Sequence, residues 1–231
     1  MSPATVPEVP RDKTDYFKAR IVRWGRENFR DFPWRFTQNP WHALAAEIML
    51  QRTRADQVVP AYTMLTSQYK QPSEFVANPI PVFLRLGLPI RDEQFLSLNR
   101  ALAAGGCLPV EKAELLNLPG VGDYIASAFL SLHLRKRAAL IDANVVRVYG
   151  RFFGFETGPE TRRKRWLIEL AQEITPKRAF TAYNYAIIDF SREICRPKPR
   201  HEMCPVKRKC RYFQSAHSTP TLGHTFPIQH D

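Results

Sequence analysis

Two short stretches carry residues whose type and spacing could do chemistry on a nucleotide. Leu118-Pro119-Gly120-Val121-Gly122 places two glycines in a tight turn between amphipathic segments, and Asp142 stands at the head of Ala143-Asn144-Val145-Val146-Arg147-Val148. Glycines at 120 and 122 permit positive φ and let a ligand approach the backbone where a side chain would otherwise stand. A helix opening at Asp123 would offer unpaired N–H groups and the positive end of its dipole to a phosphate oxygen. Asp142 suits an N-cap. Held partly out of water beside a sugar, the same carboxylate would stabilise the oxocarbenium-like charge that develops as a base leaves. An ordinary helix joint and an ordinary cap would use the same residues; their pairing in a basic chain points to DNA.

The chain has 231 residues, with 34 Lys and Arg against 22 Asp and Glu, a formal net charge of +12. Such an excess favours a polyanionic partner, because cations that neutralise phosphates release condensed counterions. No run approaches the eighteen or so apolar residues that a membrane span needs, and the polar, proline-rich start (Met1 to Pro10) carries no apolar core of a secretory signal. Three of the four cysteines crowd between Cys195 and Cys210, which suits a metal site in a reduced compartment better than a disulfide framework. The expected setting is the cytoplasm, on the nucleoid, without a membrane.

These residues must be positioned by helices. Apolar residues recur at helical spacing over 16–32, 41–51, 56–69, 81–86, 93–104, 111–116, 124–134, 145–153, 162–174 and 180–194, with turn signals between and almost no period-two alternation. This is the layout of an all-α protein. The expected organisation is a disordered lead over 1–13 and a flexible tail over 214–231. Between them, 14–30 joins 143–213 in one helical domain and 31–142 forms the other, which holds the hairpin, with a DNA cleft between the two.

Together the hairpin and Asp142 resemble the helix-hairpin-helix DNA glycosylase superfamily, in the branch of endonuclease III and MutY, over about 16–213. Asp31-Phe32-Pro33-Trp34-Arg35 and Ala46-Glu47-Ile48-Met49-Leu50-Gln51-Arg52-Thr53 resemble the opening helices of the MutY branch. Asp142-Ala143-Asn144 stands where MutY proteins carry Asp-Gly-Asn, and Gly87-Leu88-Pro89-Ile90-Arg91 where they carry a double tyrosine. Within the branch the chain is therefore most similar to the Mig-type thymine–guanine mismatch glycosylases.

The resemblance implies base-excision repair. A monomer would flip thymine, or uracil, opposite guanine out of double-stranded DNA, hydrolyse its N-glycosidic bond and leave an abasic site. Tyr124 occupies the position of the endonuclease III lysine; a phenol cannot form a Schiff base, so hydrolysis without strong strand cleavage is implied. Glu47, in an otherwise apolar helix, would act as general acid or order the attacking water. Gln51 and Arg52 match the wedge region that fills the vacated duplex, Arg52 being able to read the orphaned guanine. Leu88 is implied in a second intercalating loop. The alternatives are adenine excision opposite guanine or 8-oxoguanine, and a non-catalytic DNA-binding module built on the same hairpin.

The same branch holds a [4Fe–4S] cluster with four cysteines separated by six, two and five residues. Here Cys195, Cys204 and Cys210 match three positions and the second cysteine is missing. Counting back from Cys204 gives His201, counting forward from Cys195 gives Glu202, and the loop is one residue short. Three readings stay open: a cluster with His201 or Glu202 as the fourth ligand, a cluster with one iron bound by something else, and a decayed site. The resemblance favours a bound cluster with His201 as the substitute, since imidazole replaces thiolate on iron in some centres; a carboxylate is harder and suits it less. Cys107 matches no ligand position. Arg196, Lys198, Arg200, Lys207, Arg208, Lys209 and Arg211 surround the loop and could meet phosphates.

Overall fold

The structure, a computed structural model, describes residues 9–217. The lead expected over 1–13 and the tail expected over 214–231 lie mostly outside the described residues; inside them, residue 11 opens the first helix and 214–217 belong to the last. No strand occurs among the described residues.

α1 (Arg11–Glu27) repeats Phe17, Ile21 and Trp24 on one face, all buried, and closes where the Asn28 side-chain amide donates to the Trp24 carbonyl. The periodicity of 16–32 overran this end: residues 28–32 leave the helix and Phe32 stands extended before Pro33, which disfavours a helical residue ahead of it. Gly25 lies where α1 crosses α10 (Phe180–Glu193); a Cβ there would collide with Ala186. α2 (Pro40–Met49) starts at Asn39, whose side chain accepts from the Trp41 and His42 amides, with Pro40 in the first helical position. It is buried almost along its whole length.

α3 (Ala55–Gln68), α4 (Pro72–Ala77), α5 (Arg91–Gly105), α6 (Lys112–Leu115) and α7 (Asp123–Ala128) complete a first core around Leu44, Met49, Phe75, Phe83, Phe95 and Phe129. Residues 81–86 do not form the expected helix. Only a 3-10 turn, Leu84–Leu86, survives, ended by left-handed Gly87 and held by Asp92, whose carboxylate accepts from the Phe83 and Leu84 amides. α4 carries too few residues to show a period.

α8 (Ala143–Tyr149), α9 (Arg165–Ile174), α10 and α1 enclose a second core around Phe17, Ile21, Tyr149, Phe152, Tyr183 and Phe190. The chain thus begins in one core, builds the other, and returns. Ala128, Leu132, Leu140, Tyr185 and Ile188 make a smaller cluster of their own. α7 and α8 each run on into a π-helical turn, Phe129–His133 and Gly150–Gly154. α11 (Arg211–His217) packs back on the second of these.

Candidate active site

A groove of about 1590 Å³ is lined by residues of both cores, with Gln51, Arg52, Gly120, Gly122, Tyr124 and Asp142 all on its wall. Nine Lys and Arg side chains line it against six Asp and Glu. Five of those acids are already paired: Asp56 with Arg54, Glu111 with Lys136, Asp123 with Lys112, Asp189 with Arg35 and Glu193 with Arg30. The lining therefore presents a positive field to which an anionic ligand is drawn.

Asp142 is the sixth acid, and it has no ion pair among the described residues. Half-buried, it caps α8: Oδ1 accepts from the Val145 amide at 2.7 Å. Oδ2 accepts from the Asn144 side-chain amide at 3.1 Å. The Asn144 side-chain oxygen, Oδ1, in turn accepts from Arg147 at 2.9 Å, and Arg147 also donates to the backbone carbonyls of Ser191 and Cys195. Capping and exposure to the groove are thus combined in one carboxylate fixed at both oxygens, on which Arg147 acts from behind Asn144 without forming an ion pair.

Tyr124, in the first turn of α7, stands on the same wall. Burial first, and then the charges of Glu47 and Asp142, hold its phenol well above the usual tyrosine range. It is a neutral hydroxyl at physiological pH. Glu47 is 4% exposed, and its Oε1 lies 3.0 Å from Nε2 of His133, which is equally enclosed. Tyr185, on α10, senses the Glu47 charge as well, and its buried hydroxyl has no hydrogen-bond partner among the described residues. Neither His133 nor Tyr185 was singled out from the sequence. Each sits inside a helical apolar pattern, and no short-range spacing ties either one to Glu47.

The hairpin is built by Gly120 at φ +79° and by the Val121 amide donating to the Leu118 carbonyl at 3.1 Å; Val121 is buried, while Leu118 and Pro119 are half-buried. Gly122 precedes α7 in extended backbone, and a Cβ there would meet open space. The Gln51 amide donates to the Gly120 carbonyl at 3.2 Å, and its oxygen accepts from Arg91 at 2.7 Å. Arg91 also donates to the carbonyls of Ile48 and Gln51 at the end of α2, so one guanidinium ties that end to the hairpin. Arg52, the next residue, is exposed and left-handed at φ +59°, a strained state for a side-chain-bearing residue. Leu88 packs partly buried on the first core, off the groove, whereas Ile90 beside it is 88% exposed.

The sequence is 34% identical over 210 residues to the thymine/uracil-DNA glycosylase of Methanothermobacter thermautotrophicus, covering 87% of this chain and 95% of that protein. It is 31% identical over 223 residues to the protein of the same name from Pyrobaculum aerophilum, covering 89% and 96%. The chain belongs to the thymine/uracil-DNA glycosylase family. Its fold matches the structure of a thermostable thymine-DNA glycosylase with a TM-score of 0.82 at 34% identity, over 88% of this chain and 98% of that one. No family model matches the chain.

In this glycosylase the cysteine loop lies apart from the groove. Cys195, His201, Cys204 and Cys210 line a separate small cavity of about 20 Å³, walled by Phe152, Phe190, Ile194 and Val206. Burial raises all three thiols, Cys204 to about 11, while Arg151, 3.8 Å from the Cys195 sulfur, pulls that thiol the other way. Glu202 is exposed and does not line the cavity. Among the described residues no three His, Cys, Asp or Glu gather closely enough to hold a metal ion. An iron–sulfur centre takes thiolate ligands and, at some irons, imidazole. Three soft thiols and an imidazole on one apolar cavity fit that chemistry.

Proposed function

We propose that the groove hydrolyses the N-glycosidic bond of thymine, and of uracil, opposite guanine in double-stranded DNA and leaves an abasic site. The observation that carries this reading is Asp142: both oxygens are anchored, the groove is open before it, and it forms no ion pair among the described residues. With the target base flipped into the groove, the carboxylate stabilises positive charge growing on the sugar as the bond to the base breaks. Water completes the displacement on the sugar carbon. Glu47, behind the wall, gives a proton to the departing base or orders that water. Tyr124 offers a hydroxyl and no amine, so no imine with the sugar forms and the strand is left uncut.

The hairpin glycines and the α7 amides grip a phosphate of the flipped strand. Gln51 and Arg52 fill the gap in the duplex, Arg52 reading the orphaned guanine, and the loop of Leu88 enters from the other side. The DNA lies between a domain of 31–142 and a domain of 14–30 with 143–213, and the protein acts as a monomer. Cys195, His201, Cys204 and Cys210 would hold a [4Fe–4S] cluster, which when bound clamps the basic loop in the shape that meets the backbone.

The test is single-turnover base release by Asp142→Asn on a T·G duplex. Release is expected to fall about a hundredfold or more while binding to the duplex persists; release at the wild-type rate would show that Asp142 is only a cap.

A further inference from the structure

We propose that Glu47 works as one half of a buried carboxylate–imidazole pair, in which His133 is the positioning residue that fixes the carboxyl group for base release. The proposal rests on the reading that Glu47 serves that step.

Glu47 sits on α2 among Leu44, Ile48 and Met49, and His133 closes the π-helical turn that continues α7; the side chains of both are buried. Burying a carboxyl group and an imidazole away from water costs stability unless each finds a partner. At 3.0 Å between Nε2 and Oε1 each is the other's partner. Two proton arrangements satisfy this contact: Nε2–H donating to the carboxylate, or a protonated carboxyl donating to Nε2. In both, Oε1 is occupied, rotation of the carboxyl group is arrested, and Oε2 is left to act.

The π turn has a geometric consequence. A helix that widens by one residue rotates the side chains beyond the widening, and such bulges recur at functional sites. Here the widened turn packs against α2, and the side chain that meets Glu47 is the last of that turn. One continuous run of helix therefore carries Gly122 at its cap, Tyr124 on the groove wall and His133 against Glu47. A strand gripped at the hairpin and a carboxyl held at the far end share one rigid element.

The titratable groups facing Glu47 are His133, Tyr124 on α7 and Tyr185 on α10. Asp142, Asp189, Arg192 and Arg35 act on those two tyrosines from further out. His133 is the only one of the facing groups within hydrogen-bond distance of Glu47 among the described residues.

The experiment compares wild type, His133→Leu, His133→Gln and Asp142→Asn. It measures single-turnover release from a U·G duplex and binding to a duplex with a tetrahydrofuran abasic analogue. Leucine is expected to slow release about tenfold or more with binding within about twofold, since the carboxyl loses its anchor and the surface is untouched. Glutamine, whose amide can donate or accept near the place of Nε2, is expected to restore release to within about threefold of wild type. Release by the leucine variant at the wild-type rate overturns the proposal, as does a glutamine variant no faster than leucine. A readout independent of activity is the ring-nitrogen NMR signal of His133 in the full chain. Glu47→Gln is expected to shift the Nε2 resonance, and an unmoved resonance overturns the pair. If wild type releases no uracil or thymine while that resonance still shifts, the assigned function fails, and with it the role of the pair, while the contact stands.

Discussion

Arg35 and Asp189, 154 residues apart in sequence, form a two-armed ion pair between the first core and the second. Nη1 and Nη2 lie 2.9 and 2.8 Å from the two carboxylate oxygens, and both side chains are under a tenth exposed. The guanidinium stacks within 5.3 Å of the Phe29, Phe32 and Tyr185 rings. Asp189 also lines the groove, so the strap between cores runs beside the site.

Removing one arm of such a pair leaves a buried charge uncompensated. Arg35→Met is expected to cost about 3–5 kcal/mol, and the double variant Arg35→Met with Asp189→Leu to recover much of that loss. Urea unfolding of the three proteins measures it. A single variant within about 1 kcal/mol of wild type would mean that the pair is solvated in solution.

Tyr62, Tyr124, Tyr149, Tyr183 and Tyr185 all have phenols raised above the ordinary value of 10.0, with burial as the first cause in every case. Tyr149 and Tyr183 share a hydrogen bond at 3.0 Å in the second core. Because the folded values lie above the unfolded ones, the folded state holds more protons in alkali. The stability these groups contribute is complete below pH 10.0 and is lost as pH rises above it. Absorbance titration near 295 nm should show these five ionising only as the protein unfolds. Smooth ionisation of all eight tyrosines near pH 10.0 in folded protein would contradict their burial.

The cavity of Cys195, His201, Cys204 and Cys210 carries its own prediction. Protein purified without air should absorb broadly near ~400 nm and hold about four iron and four sulfide per chain. His201→Cys should keep the cluster and His201→Ala should shed it. Equal iron content in wild type and His201→Ala would remove His201 from the ligand set.

The hairpin, the cap at Asp142 and most helices could be read in the sequence, because each depends on neighbours a few residues away. Glycines at 120 and 122 and an aspartate before Val145 are local chemistry. The links between elements are not local. Glu47 meets His133 at a separation of 86 residues, and Gln51 meets Gly120 at 69. His133 faces Glu47 through a π turn, which no apolar period encodes. The exposure of Ile90 beside half-buried Leu88 likewise depends on how Gly87 and Asp92 set the loop. Arg91 shows both sides: its charge is plain in the sequence, while its hold on the end of α2 appears only once Gln51 and Ile48 are placed.

The most direct measurement is base release from a matched panel of duplexes carrying T·G, U·G, A·G and A·8-oxoguanine, followed by alkaline cleavage to reveal abasic sites and by borohydride trapping. Release of thymine and uracil opposite guanine, with no trapped adduct and with strands cut only after alkali, is the expected result. Release of adenine alone, or an efficient borohydride adduct with the wild-type chain, would contradict it.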